Sequence, residues 1–176
     1  MIKVSWGSKV SPEFVAKVVE GCESLGWAPE PMASYLMACM AFETGETFSS
    51  SVRNAAGSGA IGLIQFMPKT ASTLGTSTAE LDKLSPVEQL DYVFSYFSQS
   101  DWNKRIKTLE DMYMAILMPS FIGKPDDAVI FDGGKAYSQN SGLDVSKDGK
   151  VTKREAAELV RKKYERGLTE GYYRTT

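Results

Sequence analysis

The stretch "PEPMASYLMACMAFETGETF" covers residues 29–48. Its apolar residues recur at helical spacing, at Met32, Tyr35, Leu36, Cys39 and Met40. That pattern predicts a helix ending near Gly45. One further step along the stripe lands on Glu43, in the last turn. A lone carboxylate held against apolar side chains resists ionisation. A carboxyl that keeps its proton near neutral pH can donate it to a leaving oxygen. Spacing alone also fits a frayed, solvated last-turn residue.

Other helices flank this one. "SPEFVAKVVEGCESLG" opens with Ser11 as N-cap and Pro12 at the first helical position. Val15, Val18, Val19 and Cys22 form its apolar face, and Gly26 suits its end. "SPVEQLDYVFSYF" carries Ser85 and Glu88 at capping-box spacing, with Val87, Leu90, Val93, Phe94 and Phe97 on the inner side. "TLEDMYMAILM" starts at Thr108 and stops at Pro119. A charged last helix spans about Thr152 to Arg166. The segment "FSSSVRNAAGSGAIGLIQFMP", residues 48–68, holds too many small residues for a long helix, so a short β-hairpin or ordered loop is expected there. Together these elements predict an α+β fold, predominantly α, in a single domain spanning residues 1–176.

Composition limits the chemistry. The 176 residues carry a net charge of −2, which leaves no basic excess for nucleic acid. No apolar run reaches membrane-spanning length, and the N-terminus lacks the apolar stretch of a signal peptide. The chain contains no histidine, which removes Ser-His-Asp and Cys-His nucleophilic sites and most catalytic zinc sites. Carboxylates remain the main acid–base groups. Cys22 and Cys39 sit in helical patterns and read as small buried thiols.

"GSGAIG", residues 57–62, satisfies G-x-G-x-x-G, with Asp82 about 20 residues on. A dinucleotide site is rejected. No buried strand precedes the run, and Pro68 follows too soon for the required long helix. These glycines instead allow tight turns and a close backbone approach.

Three segments occur in order: "FETGETF", "GSGAIGLIQFMPKTA" and "KAYSQNSG". Together they resemble the lytic transglycosylase and goose-type lysozyme superfamily, in the version carried by tailed phages. The resemblance runs from about residue 31 to 142. In the third segment Tyr137 and Asn140 are separated by two residues, a departure from the family's "AYNxG" pattern. The resemblance implies a lysozyme-like fold. It also implies cleavage of the β-1,4 bond between N-acetylmuramic acid and N-acetylglucosamine in peptidoglycan. It carries Glu43 over as the catalytic acid. Thr44, Ser58, Gln65, Phe66, Tyr137 and Asn140 are carried over as groups that line the substrate site. The implied partner is a peptidoglycan glycan strand, bound by a monomer. The implied setting is a phage lytic protein, made in the host cytoplasm and acting on the cell wall after release, or carried in the phage particle.

A two-carboxylate glycosidase needs a second acid facing the first. In hydrolysing goose-type relatives that acid tends to lie between the two leading motifs, yet residues 47–79 contain no Asp or Glu. Its absence favours the family's single-Glu route, in which the sugar's own C6 hydroxyl attacks the anomeric carbon and leaves a 1,6-anhydro product. Asp82 and Asp91 remain as acids that folding could bring near; hydrolysis remains the alternative, and a non-catalytic calcium-dependent peptidoglycan-binding module the second alternative.

"DVSKDGKVTKRE", residues 144–155, fits the twelve-residue EF-hand calcium loop. Asp144, Ser146 and Asp148 fall at positions 1, 3 and 5, Gly149 at 6, the Lys150 carbonyl at 7, Thr152 at 9 and Glu155 at 12. The expectation is one structural Ca2+ site within an element spanning about 131–166, entered by a short helix from Phe131 to Gln139. A charged surface turn leading into a helix is the alternative.

Overall fold

The helix carrying Glu43 is the centre of the molecule. In a computed structural model describing residues 1–176, four elements precede and include it or follow directly. They are β1 (Lys3–Val4), α1 (Pro12–Ser24), α2 (Pro29–Glu43) and, after a long loop, α3 (Pro68–Thr73). Next come α4 (Thr78–Asp82), α5 (Pro86–Phe97), α6 (Trp102–Arg105) and α7 (Leu109–Leu117). The chain ends with β2 (Val129–Asp132), α8 (Gly134–Asn140), β3 (Lys150–Thr152), α9 (Lys153–Gly167) and β4 (Arg174–Thr175). The fold is α+β and predominantly α, and no helix is long and apolar enough to cross a membrane.

Side-chain caps set several boundaries. Ser11 accepts from the Phe14 N–H, Thr108 from Asp111, and the capping boxes Ser85–Glu88 and Thr152–Glu155 both close. Around α2 the expected single stripe is replaced by burial on every side. Met32, Ala33, Ser34, Leu36, Met37, Ala38, Cys39, Met40 and Ala41 are all buried, because α1, α7, α9 and β1 surround the helix. Tyr35 is half-buried, its ring edge-on to Tyr164 at 5.2 Å. Truncating a side chain such as Leu36, which is 0% exposed, removes about 2–5 kcal/mol.

Helix α9 is fastened to α7 at two points. The Lys153 ammonium is 1% exposed and donates to Asp111 Oδ1 at 2.6 Å and to the Lys124 carbonyl at 2.8 Å. Further along, Arg161 pairs with Glu110. Breaking a buried pair of this kind from one side costs about 3–5 kcal/mol.

One local expectation resolves to the second of its two alternatives, and another fails. The segment 48–68 is an ordered loop without strands, held by the isolated bridges Arg53↔Ile61 and Ile61↔Phe66. Gly57, Gly59, Gly62 and even Gln65 have positive φ, which breaks any run of extended residues. The two small antiparallel sheets lie elsewhere. β1 pairs with β4 between the chain ends, and β2 pairs with β3, with Phe131 opposite Val151. The helix expected over Phe131–Gln139 begins only at Gly134. Phe131 is the buried residue of strand β2, and Gly133 and Gly134, both at positive φ, turn the chain into α8.

Candidate functional site

Glu43 is the last residue of α2, and its carboxyl opens onto a cavity of about 910 Å³. No group in the chain hydrogen-bonds to it. Burial pushes its pKa from the ordinary 4.5 to about 7. The cause is the one expected from an apolar helix end, although the apolar surroundings come from the whole bundle and not from one stripe.

Helix and loop geometry meet at the next residue. The Thr44 hydroxyl donates to the Met40 carbonyl at 2.7 Å and accepts from the Phe48 N–H at 2.9 Å. This closes α2 and turns the chain, so that Phe48 buries against Trp6 and Phe14. Glu46 faces away from the cavity, its Oε1 3.3 Å from Lys163 and 3.1 Å from Arg166.

Loop 48–67 forms one wall with Asn54, Ser58 and Gln65. A buried amide holds the loop in place. Gln89, 0% exposed on α5, accepts from the Leu63 N–H at 2.8 Å and donates to the carbonyls of Ser50 and Leu81. A Cβ on Gly62 would stand 2.3 Å from Gln89 Oε1, and φ there is +83°. That is the close approach this glycine provides for. Gln65 donates to the carbonyls of Val52 and Gly62, which fixes its side chain at the cavity edge.

Helix α7 supplies the opposite wall through Tyr113, Ile116 and Leu117, and α8 supplies Gln139 and Asn140. The Tyr113 ring meets Phe42 edge-on at 5.6 Å. Burial, and then the neighbouring Glu43 and Cys39, push its phenol well above its ordinary pKa, so it remains a hydrogen-bond donor. Its hydroxyl makes no hydrogen bond within the chain and lines the same cavity as the Glu43 carboxyl.

Of the residues expected in the substrate site, Ser58, Gln65 and Asn140 line this cavity with Glu43. Thr44, Phe66 and Tyr137 do not. Thr44 is 2% exposed and occupied as a cap, and Phe66 is a core residue, 1% exposed, edge-on to Tyr96 at 6.4 Å. Tyr137 turns the other way and donates to Asp144 Oδ2 at 2.8 Å. The phenol beside Glu43 is therefore Tyr113. In the sequence it reads as one more apolar position of "LEDMYMAIL", and only its polar tip distinguishes it.

Glu43 is the only acid lining the cavity. Asp82 pairs with Arg53 at 3.3 Å and Asp91 with Lys17 at 3.0 Å, both outside it.

Beyond α8, one carboxylate oxygen from each of Asp144, Asp148 and Glu155 lies within 4.8 Å of the other two, a group that could hold a metal ion. Asp144 is buried and organises the loop. Its Oδ1 accepts from the Lys147 and Asp148 N–H groups, and its Oδ2 from Gly149 and Tyr137. Burial alone would raise its pKa, but these hydrogen bonds, led by Tyr137, lower it overall and keep it charged. Glu155 serves two structures at once. Its Oε1 caps α9 at Thr152, while Oε2 accepts from the Ser146 N–H and hydroxyl at 3.0 Å. Lys150, whose carbonyl falls at position 7, begins β3 opposite Asp132.

Comparison with known protein families, curated proteins and solved structures gives no match.

Proposed function

We propose that this protein cleaves the β-1,4 glycosidic bond between N-acetylmuramic acid and N-acetylglucosamine in peptidoglycan, as a lytic transglycosylase. The observation that carries the reading is the unpaired Glu43 carboxyl, half-protonated at about pH 7, at the head of a large open cavity. In this reading Glu43 gives its proton to the glycosidic oxygen as the bond breaks. The resulting carboxylate takes the proton from the C6 hydroxyl of the muramic acid. That oxygen closes onto the anomeric carbon, and Glu43 is regenerated protonated. The absence of any other acid on the cavity wall supports this route over a two-carboxylate hydrolysis. Tyr113 is suited to hydrogen-bond the sugar beside the acid, since its phenol stays protonated.

The same reading assigns Ca2+ to the site that Asp144, Asp148 and Glu155 could form. All donors are oxygens and the loop backbone is already folded around Asp144, while Lys147 and Lys150 lower the local negative charge and set the affinity below that of tight calcium buffers. The metal would brace the loop and take no part in the chemistry.

The deciding experiment is mass spectrometry of products from purified murein sacculi. Muropeptides ending in 1,6-anhydromuramic acid support transglycosylation, and a reducing muramic acid end, heavier by one water, replaces it with hydrolysis. Intact sacculi reject both.

A further inference from the structure

A second hollow, of about 480 Å³, lies beyond Met67 and Ile116, which line both it and the Glu43 cavity. A small space of about 40 Å³ shares lining residues with each and adds Phe66. At its far side stands Trp102, half-buried and edge-on to Tyr96 at 5.4 Å. Tyr96 in turn donates to the Ala115 carbonyl of α7, so this indole is braced against the helix that carries Tyr113.

Three features distinguish Trp102 from the other tryptophans. The indole N–H of Trp6 donates to the Lys163 carbonyl and that of Trp27 to the Asn103 carbonyl, and both side chains are buried. The indole N–H of Trp102 has no acceptor in the chain, and the residue borders open space. The two residues before it, Ser100 and Asp101, adopt positive φ of 47° and 58°, backbone that non-glycine residues seldom hold. These two residues turn the chain into α6, of which Trp102 is the first residue.

The rest of the hollow is apolar with neutral polar groups. Ile116, Met67 and Pro119 face Thr70, Thr73 and Gln99, with Lys69 as the one charge. An aromatic platform carrying a free donor, beside hydroxyl and amide groups, matches an amphipathic uncharged ligand. A nucleic acid or polyanion would require more cations.

The geometry points to this hollow as a distal saccharide-binding site, in which Trp102 holds an N-acetylhexosamine unit of the same glycan strand whose bond lies at Glu43. The proposal rests on the glycan-cleaving reading above and adds a specificity residue to it. Because the hollow is separate from the cavity, Trp102 should favour long strands over short ones.

The test uses β-1,4-linked N-acetylglucosamine oligomers of two to six units, titrated by calorimetry into the full-length Glu43→Gln protein with and without Trp102→Ala. The expected result is an affinity that rises with length in the Trp102 protein, with about tenfold of that gain lost in Trp102→Ala. Because Trp6 and Trp27 are buried, the fluorescence shift on binding long oligomers reports on Trp102. Trp102→Phe keeps the packing on Tyr96 and removes the N–H, so it should fold normally and lose an intermediate share of the gain. Equal length dependence in all three proteins, with murein still cleaved by the parent chain, overturns the distal site alone. No binding at any length, together with intact murein, overturns the parent reading and this one with it.

Discussion

The Tyr137 hydroxyl donates to Asp144 Oδ2 at 2.8 Å, which ties helix α8 to the first residue of the acidic loop. Three residues along the same helix, Asn140 borders the Glu43 cavity. The loop and the cavity wall are thus joined by one phenol. Tyr137→Phe keeps the ring and frees α8. The expected result is weaker glycan binding, with KM raised several-fold and turnover little changed, since Glu43 and Tyr113 are untouched. A turnover slowed by about a hundredfold or more, the scale of a removed proton donor, would return Tyr137 to the reacting sugar.

Calcium should raise the melting temperature. A metal binding only the folded state adds about 2.7 kcal/mol at 100-fold over its Kd, a rise of roughly 5–10 °C for a domain of this size. Asp148→Asn is the cleaner probe than Glu155→Ala. Asp148 is exposed, whereas Glu155 also caps α9, and losing that cap costs about 1 kcal/mol without any metal. Calorimetry with calcium and then chelator should show the rise in the wild type and little of it in Asp148→Asn. An unchanged wild-type melting temperature leaves this stretch as a charged turn.

Gln89→Leu should destabilise the protein and loosen the cavity wall. The change leaves the Leu63 N–H and the Ser50 carbonyl without a partner, while the Leu81 carbonyl keeps the Leu84 N–H at 3.2 Å. Buried orphans of this kind cost about 1–3 kcal/mol each, less where water can enter. A fall in melting temperature of at least about 5 °C is expected, with faster amide exchange across residues 50–65. Unchanged exchange would mean that the loop is held by other contacts.

Glu43 carries a pH signature. Its folded pKa, about 7, lies above the ordinary 4.5. The folded state therefore binds the proton more tightly, and its contribution to stability is fully present below pH 4.5. It is lost as pH rises through 7, by roughly 3 kcal/mol in all. Glu43→Gln has no such proton, so it should match the wild type near pH 4 and exceed it in stability by pH 8. Denaturant melts of both proteins across that range provide the check, and parallel curves would place the Glu43 carboxyl in water.

Local chemistry was the legible part of this fold. Ser11, Ser85 with Glu88, Thr108 and Thr152 each mark a helix start, because a side chain there reaches a backbone N–H three residues on. The apolar residues before Glu43 made its burial one of two readings, and the bundle packed around α2 decides between them. What depended on distant partners could not be read. β1 and β4 pair the two ends of the chain, and nothing near Lys3 points to Thr175. Loop 48–67 takes its shape from Gln89, an amide on another helix. Tyr113 lines the cavity and Tyr137 does not, because the positions of α7 and α8 about the cavity follow from packing against α9 and β2, which spacing within either segment does not encode. The acidic loop was legible as a pattern, but the hydrogen bond that links it to α8 was not.

The most direct test of the account is the digestion of purified murein sacculi with the wild type and with Glu43→Gln, side by side, with products resolved by mass. The wild type is expected to release muropeptides ending in 1,6-anhydromuramic acid, and the Gln protein, folded and at equal concentration, to release less than about a hundredth as much. Comparable release by the two proteins, or none by the wild type, would contradict it.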